Sequence, residues 1–353
     1  MIRFLMIGLA LACQCTPPRP AQEPQTLKQA AAEKGIDVGT AVDPRYFAEP
    51  QYSEILANQF SVIEPENAMK FEPIHPRPDT DPNPYDFSGA DQIVQFAQEH
   101  GQKVRGHCLV WYQQVSRWLR EGNYTPAQMS DILHRHIQTV MGHFAGKVFA
   151  WDVVNEAIND DGSMRSSIWY DKPGFGFAGQ GTHYVEQAFR WAHKADPHAK
   201  LFYNDFSDEL PNPKSNAIYE MLKDFKSRGV PVDGIGFQCH LWRGFNSPEN
   251  LKAFRENLER FHALGLIIHL TEIDATLKGD SQEAFQEEAK LYGDIIRTAV
   301  SVPGVKLVQT WGFTDKHSWI NNPMAGTGWA LPWDANYAKK PAWYAMMQAL
   351  QGK

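Results

Sequence analysis

Cysteine is scarce. The 353-residue chain has four, and Cys13 and Cys15 fall within its first fifteen residues. Only Cys108 and Cys239 remain for the body of the chain, too few for a disulfide-stapled scaffold and at a spacing that fits no zinc motif. Both lie inside strand-like apolar runs. They could pair only if the fold brought them within bonding distance, and two buried free thiols are the simpler reading. Blocks of like charge are also missing. With 34 basic and 41 acidic side chains the net charge is −7, and Lys and Arg form no cluster of the kind a nucleic-acid backbone requires. No GxGxxG or GxxxxGK[ST] follows a strand-like run, so nothing points to a nucleotide. No cofactor and no metal ion are expected. Beyond the N-terminus there is no long apolar segment.

The N-terminus itself, "MIRFLMIGLALACQC", carries a positive charge at Arg3, a short apolar run from Phe4 to Ala12 and an A-x-A pattern at Ala10–Ala12. This reads as an export leader; the run is too short to span a bilayer. Cys13, directly after Ala12, resembles the modified cysteine of a bacterial lipoprotein, which would make it a lipid anchor. The expected location is therefore outside the cytoplasm: secreted, periplasmic or membrane-anchored. "TPPRPAQEPQ" (16–25) has no apolar period and reads as a linker. The expected organisation is a leader and linker over 1–26 and one catalytic domain over 27–353, acting as a monomer.

What the chain has in quantity is aromatic side chains, with 11 Trp and 12 Tyr, and alternation. Eight strand-like runs (36–42, 60–67, 103–111, 148–156, 200–205, 234–240, 266–274 and 305–313) are separated by stretches with apolar residues at helical spacing, at 88–100, 125–145, 183–195, 213–228, 247–265 and 281–300. Ser88 and Thr125 are the expected caps of the first two, with Pro126 at the first helical position. Such strand–helix units imply a parallel sheet buried on both faces, and eight of them imply an α/β fold of the (β/α)8 TIM-barrel class. A doubly wound open sheet is the alternative, and it would need a nucleotide site.

In a barrel, chemistry sits at the C-terminal ends of the strands. Those ends carry Glu66 and Asn67, His107 and Trp111, Asn155 and Glu156, Asn204 and Asp205, Gln238 and His240, Glu272 and Asp274, and Trp311. Two glutamates after buried apolar runs, Glu156 and Glu272, could flank a sugar across a barrel mouth. Glycosidic cleavage needs such a pair, one acid to protonate the departing oxygen and one carboxylate opposite the anomeric carbon.

"WDVVNEAI" (151–158) and "LTEIDA" (270–275) closely resemble the acid/base and nucleophile motifs of glycoside hydrolase family 10, the retaining endo-β-1,4-xylanases. "ENAMK" (66–70), "RGHCLVW" (105–111), "FYND" (202–205), "VPVDGIGFQCH" (230–240) and "WGFTDKHSW" (311–319) agree. The resemblance runs from about residue 27 to the end. It implies Glu156 as general acid/base, Glu272 as nucleophile, and Asn155 as the amide on the sugar 2-hydroxyl. It implies Glu66, Asn67 and Lys70 as the polar wall of the glycone side. His107, Trp111, Gln114, Gln238 and His240 would surround the reacting sugar, with Trp311 and Trp319 as aromatic platforms. Gln238 and His240 are both expected to orient Glu272. The implied partners are xylan and xylo-oligosaccharides. A β-1,4-glucanase on the same barrel and a non-catalytic glycan-binding protein are the competing readings; a binding protein has no need of both glutamates. The chain departs from the family where Tyr112 replaces the usual His after Trp111, at Cys239, and in a longer "DKPGFGFAGQGTH" loop (171–183).

Overall fold

The computed structural model describes residues 25–171, 180–321 and 327–353. The N-terminal segment through residue 24, with its leader-like run and Cys13, and residues 172–179 of the loop lie outside the described residues. Eight parallel strands form the central sheet: β1 (Asp37–Val42), β2 (Val62–Pro65), β3 (Lys103–Gly106), β4 (Val148–Asn155), β5 (Lys200–Asp205), β6 (Gly234–Phe237), β7 (Ile267–Ala275) and β8 (Val305–Thr310). Each pairs with its neighbour in chain order, and β8 pairs with both β7 and β1, which closes the sheet into a (β/α)8 barrel.

A helix follows each strand: α1 (Pro50–Gln59), α2 (Ser88–Glu99), α3 (Pro126–His143), α4 (His183–Ala195), α5 (Pro213–Ser227), α6 (Pro248–Ala263), α7 (Gln282–Val300) and α8 (Pro341–Gln351). Their starts follow from local chemistry. Thr125 accepts from the Gln128 N–H while the Gln128 side chain accepts from the Thr125 N–H, a reciprocal cap on α3. Ser247 and Ser281 cap α6 and α7 through the Asn250 and Ala284 N–H groups. Ser88 is not a cap. It is the first residue of α2, and Asp86 accepts from its N–H and hydroxyl at 3.0 and 2.6 Å. α1, α8 and a short N-terminal helix (Leu27–Glu33), none of them expected from the sequence, complete the outer layer.

Four strands, β2, β3, β6 and β8, are at least three residues shorter than the apolar runs that announced them, β8 stopping at Thr310. β3 stops at Gly106, where the Trp151 indole lies so close that no Cβ would fit. The chain then leaves the ladder, meeting β4 again at the Leu109 N–H, which donates to the Asp152 carbonyl at 3.0 Å, and at the Val110–Val154 bridge. His107 and Trp111 are therefore on an irregular segment beyond the strand. β2 stops at Pro65, and β6 stops at Phe237, with His240–Leu241 resuming pairing against Asp274–Ala275.

The barrel interior is not wholly apolar. Glu64, Arg105 and Asp152 are fully buried. The Arg105 guanidinium donates to Glu64 at 2.8 Å and forks onto Asp152. Gln309 donates to the same Glu64 oxygen at 2.9 Å. Removing one partner of such a network strands a buried charge, at about 3–5 kcal/mol. This layer is the floor beneath the strand ends.

Candidate active site

Glu272 lies within β7, three residues before its end, and is 4% exposed. Its Oε1 accepts from Asn204 Nδ2 at 2.8 Å, and its Oε2 lies 3.2 Å from His240 Nε2. The other ring nitrogen of His240 lies 2.9 Å from Asp274 Oδ2. The same Asp274 oxygen accepts from the Trp319 indole N–H at 2.9 Å. Burial opposes charge on the imidazole, but Asp274 and Glu272 outweigh it and raise His240 well above the ordinary histidine range. A protonated ring then donates at both ends. Burial likewise pushes Glu272 up. The hydrogen bond from His240 and the charges of His107 and His240 overcome it and hold the carboxyl below the ordinary glutamate range. Glu272 is thereby kept ionised.

Glu156 is one residue past the end of β4 and adopts a left-handed backbone, φ +59°. Its Oε1 accepts from Gln238 Nε2 at 2.8 Å and from Asn155 Nδ2 at 3.1 Å. Gln238 thus serves Glu156 and not Glu272. The reason is local. Two residues apart on a strand, Gln238 and His240 would share a face; Cys239 between them takes φ +61° and breaks the period. Asn155 Oδ1 accepts from both Asn204 Nδ2 (2.9 Å) and Gln238 Nε2 (3.2 Å), so one network of side-chain amides connects the two carboxyl groups. Asn204 can sit there because Gly236 on the adjacent strand leaves the space that a Cβ would take.

On the β2 and β3 side, Lys70 Nζ and Gln114 Nε2 both donate to Asn67 Oδ1 at 3.2 Å, and Asn67 Nδ2 contacts Glu66 at 3.4 Å. Lys70 is buried with its ammonium 4.6 Å from the Trp111 ring and 5.8 Å from that of Trp311. Trp311 meets His107 edge to face at 5.2 Å, and His107 Nδ1 lies 2.9 Å from the buried Asp152. Trp319 is 59% exposed, beside His240 at 5.3 Å. Every residue proposed from the sequence is therefore at the C-terminal mouth, with Gln114 in the Glu66–Lys70 wall. Cys108 and Cys239 are buried free thiols.

Among the described residues, Glu64, His107 and Asp152 are the one group with metal-like spacing. Arg105 already spans both carboxylates with a permanent cation. Asn204 and Asp274, named from the sequence only as strand-end residues in "FYND" and "TEID", hold Glu272 and His240 respectively. Nothing in the sequence marked Arg165, which holds the backbone around Glu156.

Two buried carboxyls on one amide network, one held by a charged imidazole and flanked by exposed or cation-bearing tryptophan rings at a barrel mouth, define a glycoside-cleaving hydrolase. Residues 26–349 match the model of glycosyl hydrolase family 10, and the chain belongs to that family. It is 39% identical over 333 residues to endo-1,4-beta-xylanase B of Thermotoga neapolitana, spanning 93% of this chain and 92% of that protein. It is 36% identical to endo-1,4-beta-xylanase C of Phanerodontia chrysosporium, over 92% of this chain and 78% of that protein. The fold superposes on xylanase 10B of Thermotoga petrophila in complex with xylobiose with a TM-score of 0.87 at 40% identity, covering 94% and 98% of the two chains.

Proposed function

We propose that the protein is a retaining endo-β-1,4-xylanase acting by double displacement, with Glu272 as nucleophile and Glu156 as acid/base. The observation that carries this division is the contrast in partners: Glu272 faces a charged imidazole, Glu156 only neutral amides. Ionised Glu272 attacks the anomeric carbon while Glu156 gives its proton to the departing oxygen. A covalent glycosyl-enzyme forms and the aglycone leaves. Glu156, now a carboxylate, takes a proton from water, whose oxygen displaces Glu272 from the anomeric carbon. Asn155 holds the 2-hydroxyl of the reacting sugar, and Glu66, Asn67 and Lys70 hold the glycone, where Lys70 and Glu66 suit a pentose without a hydroxymethyl arm. The xylobiose complex of the Thermotoga petrophila relative supports xylo-oligosaccharides as ligands. The leader-like N-terminus fits action on a polymer outside the cell.

The test is reducing-sugar release from xylan and from carboxymethylcellulose, with the anomer of the first product read by NMR. Xylan cleavage giving the β-anomer is expected. Cleavage of carboxymethylcellulose alone overturns the substrate; an α-anomer overturns the double displacement.

A further inference from the structure

The turn that carries Glu156 is unusual in both conformation and support. A glutamate at φ +59° occupies the left-handed region that L-residues seldom adopt, and it persists only where surrounding structure enforces it. The enforcement comes largely from one side chain nine residues on. Arg165 Nε donates to the Glu156 carbonyl at 2.8 Å, the Arg165 backbone N–H to the Ala157 carbonyl at 2.8 Å, and Arg165 Nη2 to the Ile158 carbonyl at 3.1 Å. Three consecutive carbonyls thus accept from one residue. On the other side of the turn, the Ala157 N–H donates to the Tyr203 hydroxyl at 3.0 Å.

Arg165 has no carboxylate partner among the described residues. Its guanidinium instead lies 4.7 Å from the centroid of the Tyr112 ring and 5.6 Å from that of Phe206. Tyr112 is one of the positions at which the sequence departs from the family it resembles. A planar cation beside two aromatic rings keeps its charge without an anion and keeps its donors free for the carbonyls.

We propose that Arg165, held by Tyr112, is a positioning residue for the acid/base: the stack fixes the guanidinium, the guanidinium fixes the left-handed turn, and the turn aims the Glu156 carboxyl at the leaving-group oxygen. This rests on the acid/base assignment of Glu156 made above. Arg165 touches neither carboxyl oxygen, so its loss changes where the proton donor stands and leaves its chemistry intact. A misplacement of about 1 Å can lower a rate on the order of 10²-fold.

The experiment compares Arg165→Met, Tyr112→Leu, Tyr112→Phe and Glu156→Ala with the wild type. It uses kcat/KM on xylohexaose, a poor leaving group, and on 2,4-dinitrophenyl β-xylobioside, whose phenolate departs without a proton. Because kcat/KM ends at the first irreversible step, it reads glycosylation alone. Arg165→Met is expected to lose about 10–100-fold on xylohexaose and less than about 3-fold on the aryl glycoside. Tyr112→Leu should show the same pattern, weaker, and Tyr112→Phe should match the wild type. Equal losses on both substrates, or no loss on either, overturn the inference. If Arg165→Met does not give folded protein, Tyr112→Leu decides alone: no preferential loss on xylohexaose overturns the inference. Glu156→Ala separates the two levels. If it too fails to discriminate the substrates, the acid/base assignment falls; if it discriminates and Arg165→Met does not, only the positioning role falls.

Discussion

The ends of β4 and β7 carry the same side chain in opposite settings. Glu272 sits inside a strand, in extended backbone, with its oxygens shared between an amide and a charged imidazole. Glu156 sits just past a strand, in left-handed backbone, with amides as its hydrogen-bond partners. A carboxylate that must attack carbon benefits from a fixed position and a cation that keeps it ionised. A carboxyl that must give up a proton and then retrieve one has no use for a fixed charge beside it, and the partners of Glu156 are neutral amides. The two glutamates are thus distinguished by their neighbours, and the charged neighbour of one is itself held by Asp274 and bordered by Trp319.

Removing each acid separates their roles most directly. Glu272→Ala should lower xylan hydrolysis by at least about 10³-fold while leaving xylo-oligosaccharide binding measurable by calorimetry, since no other sugar contact is lost. A near wild-type rate would end the nucleophile assignment. Glu156→Ala should cost about 10²–10⁴-fold on xylan and far less on an activated aryl xylobioside in kcat/KM. Equal losses would mean that Glu156 donates no proton.

His240→Gln gives Glu272 the kind of neighbour that Glu156 has. The glutamine keeps a donor but no charge. Glu272 is held low by the His240 hydrogen bond and by the charges of His107 and His240, so its pKa must rise in the variant. Activity that requires ionised Glu272 is present above that pKa and lost below it. The acid limb of kcat/KM should therefore move to higher pH, with a fall of about 10-fold or more at the wild-type optimum as the nucleophile loses its orientation. An unmoved acid limb would show that His240 does not set the charge on Glu272.

Much of this site was legible because a barrel concentrates its chemistry where buried apolar runs stop. "WDVVNE" and "LTEID" end in polar groups that a buried strand would not otherwise keep, and the structure places both at the mouth. The partners of those groups were not legible. Gln238 and His240 are two residues apart, and strand periodicity assigns them one target; a single left-handed residue, Cys239, sends them to different ones. The ion network of Glu64, Arg105 and Asp152 was hidden for a related reason. Each charge is isolated in its own strand, and only closure of the barrel brings the three together. α1 and α8 escaped notice because their starts are marked by Pro50 and Pro341 with no side-chain cap.

A smaller effect separates the site's titration from that of its scaffold. His75 and His136 stack at 5.6 Å in a buried aromatic cluster with Phe71, the residue after Lys70; His75 Nε2 lies 3.3 Å from Asp79, and neither ring nitrogen of His136 has a hydrogen-bond partner among the described residues. Burial lowers His136 well below the ordinary histidine range and His75 to about 4, the latter against the pull of Asp79. In the unfolded chain a histidine binds its proton near pH 6.5. Between there and about 4 the unfolded state holds more protons at these positions, so stability is intact above about pH 6.5 and falls as pH drops through that window, by on the order of 3 kcal/mol for a group shifted as far as His75. His136→Phe, flanked by Phe71 and His75, should reduce the fall in melting temperature between pH 7 and pH 4.5 while leaving the acid limb of kcat/KM in place. With Glu272 as the proposed nucleophile, the limb should follow Glu272 and the melt the buried pair. If His136→Phe moved the limb as well, the glycone wall at Lys70 and the protonation of the nucleophile would have to be treated as one coupled unit.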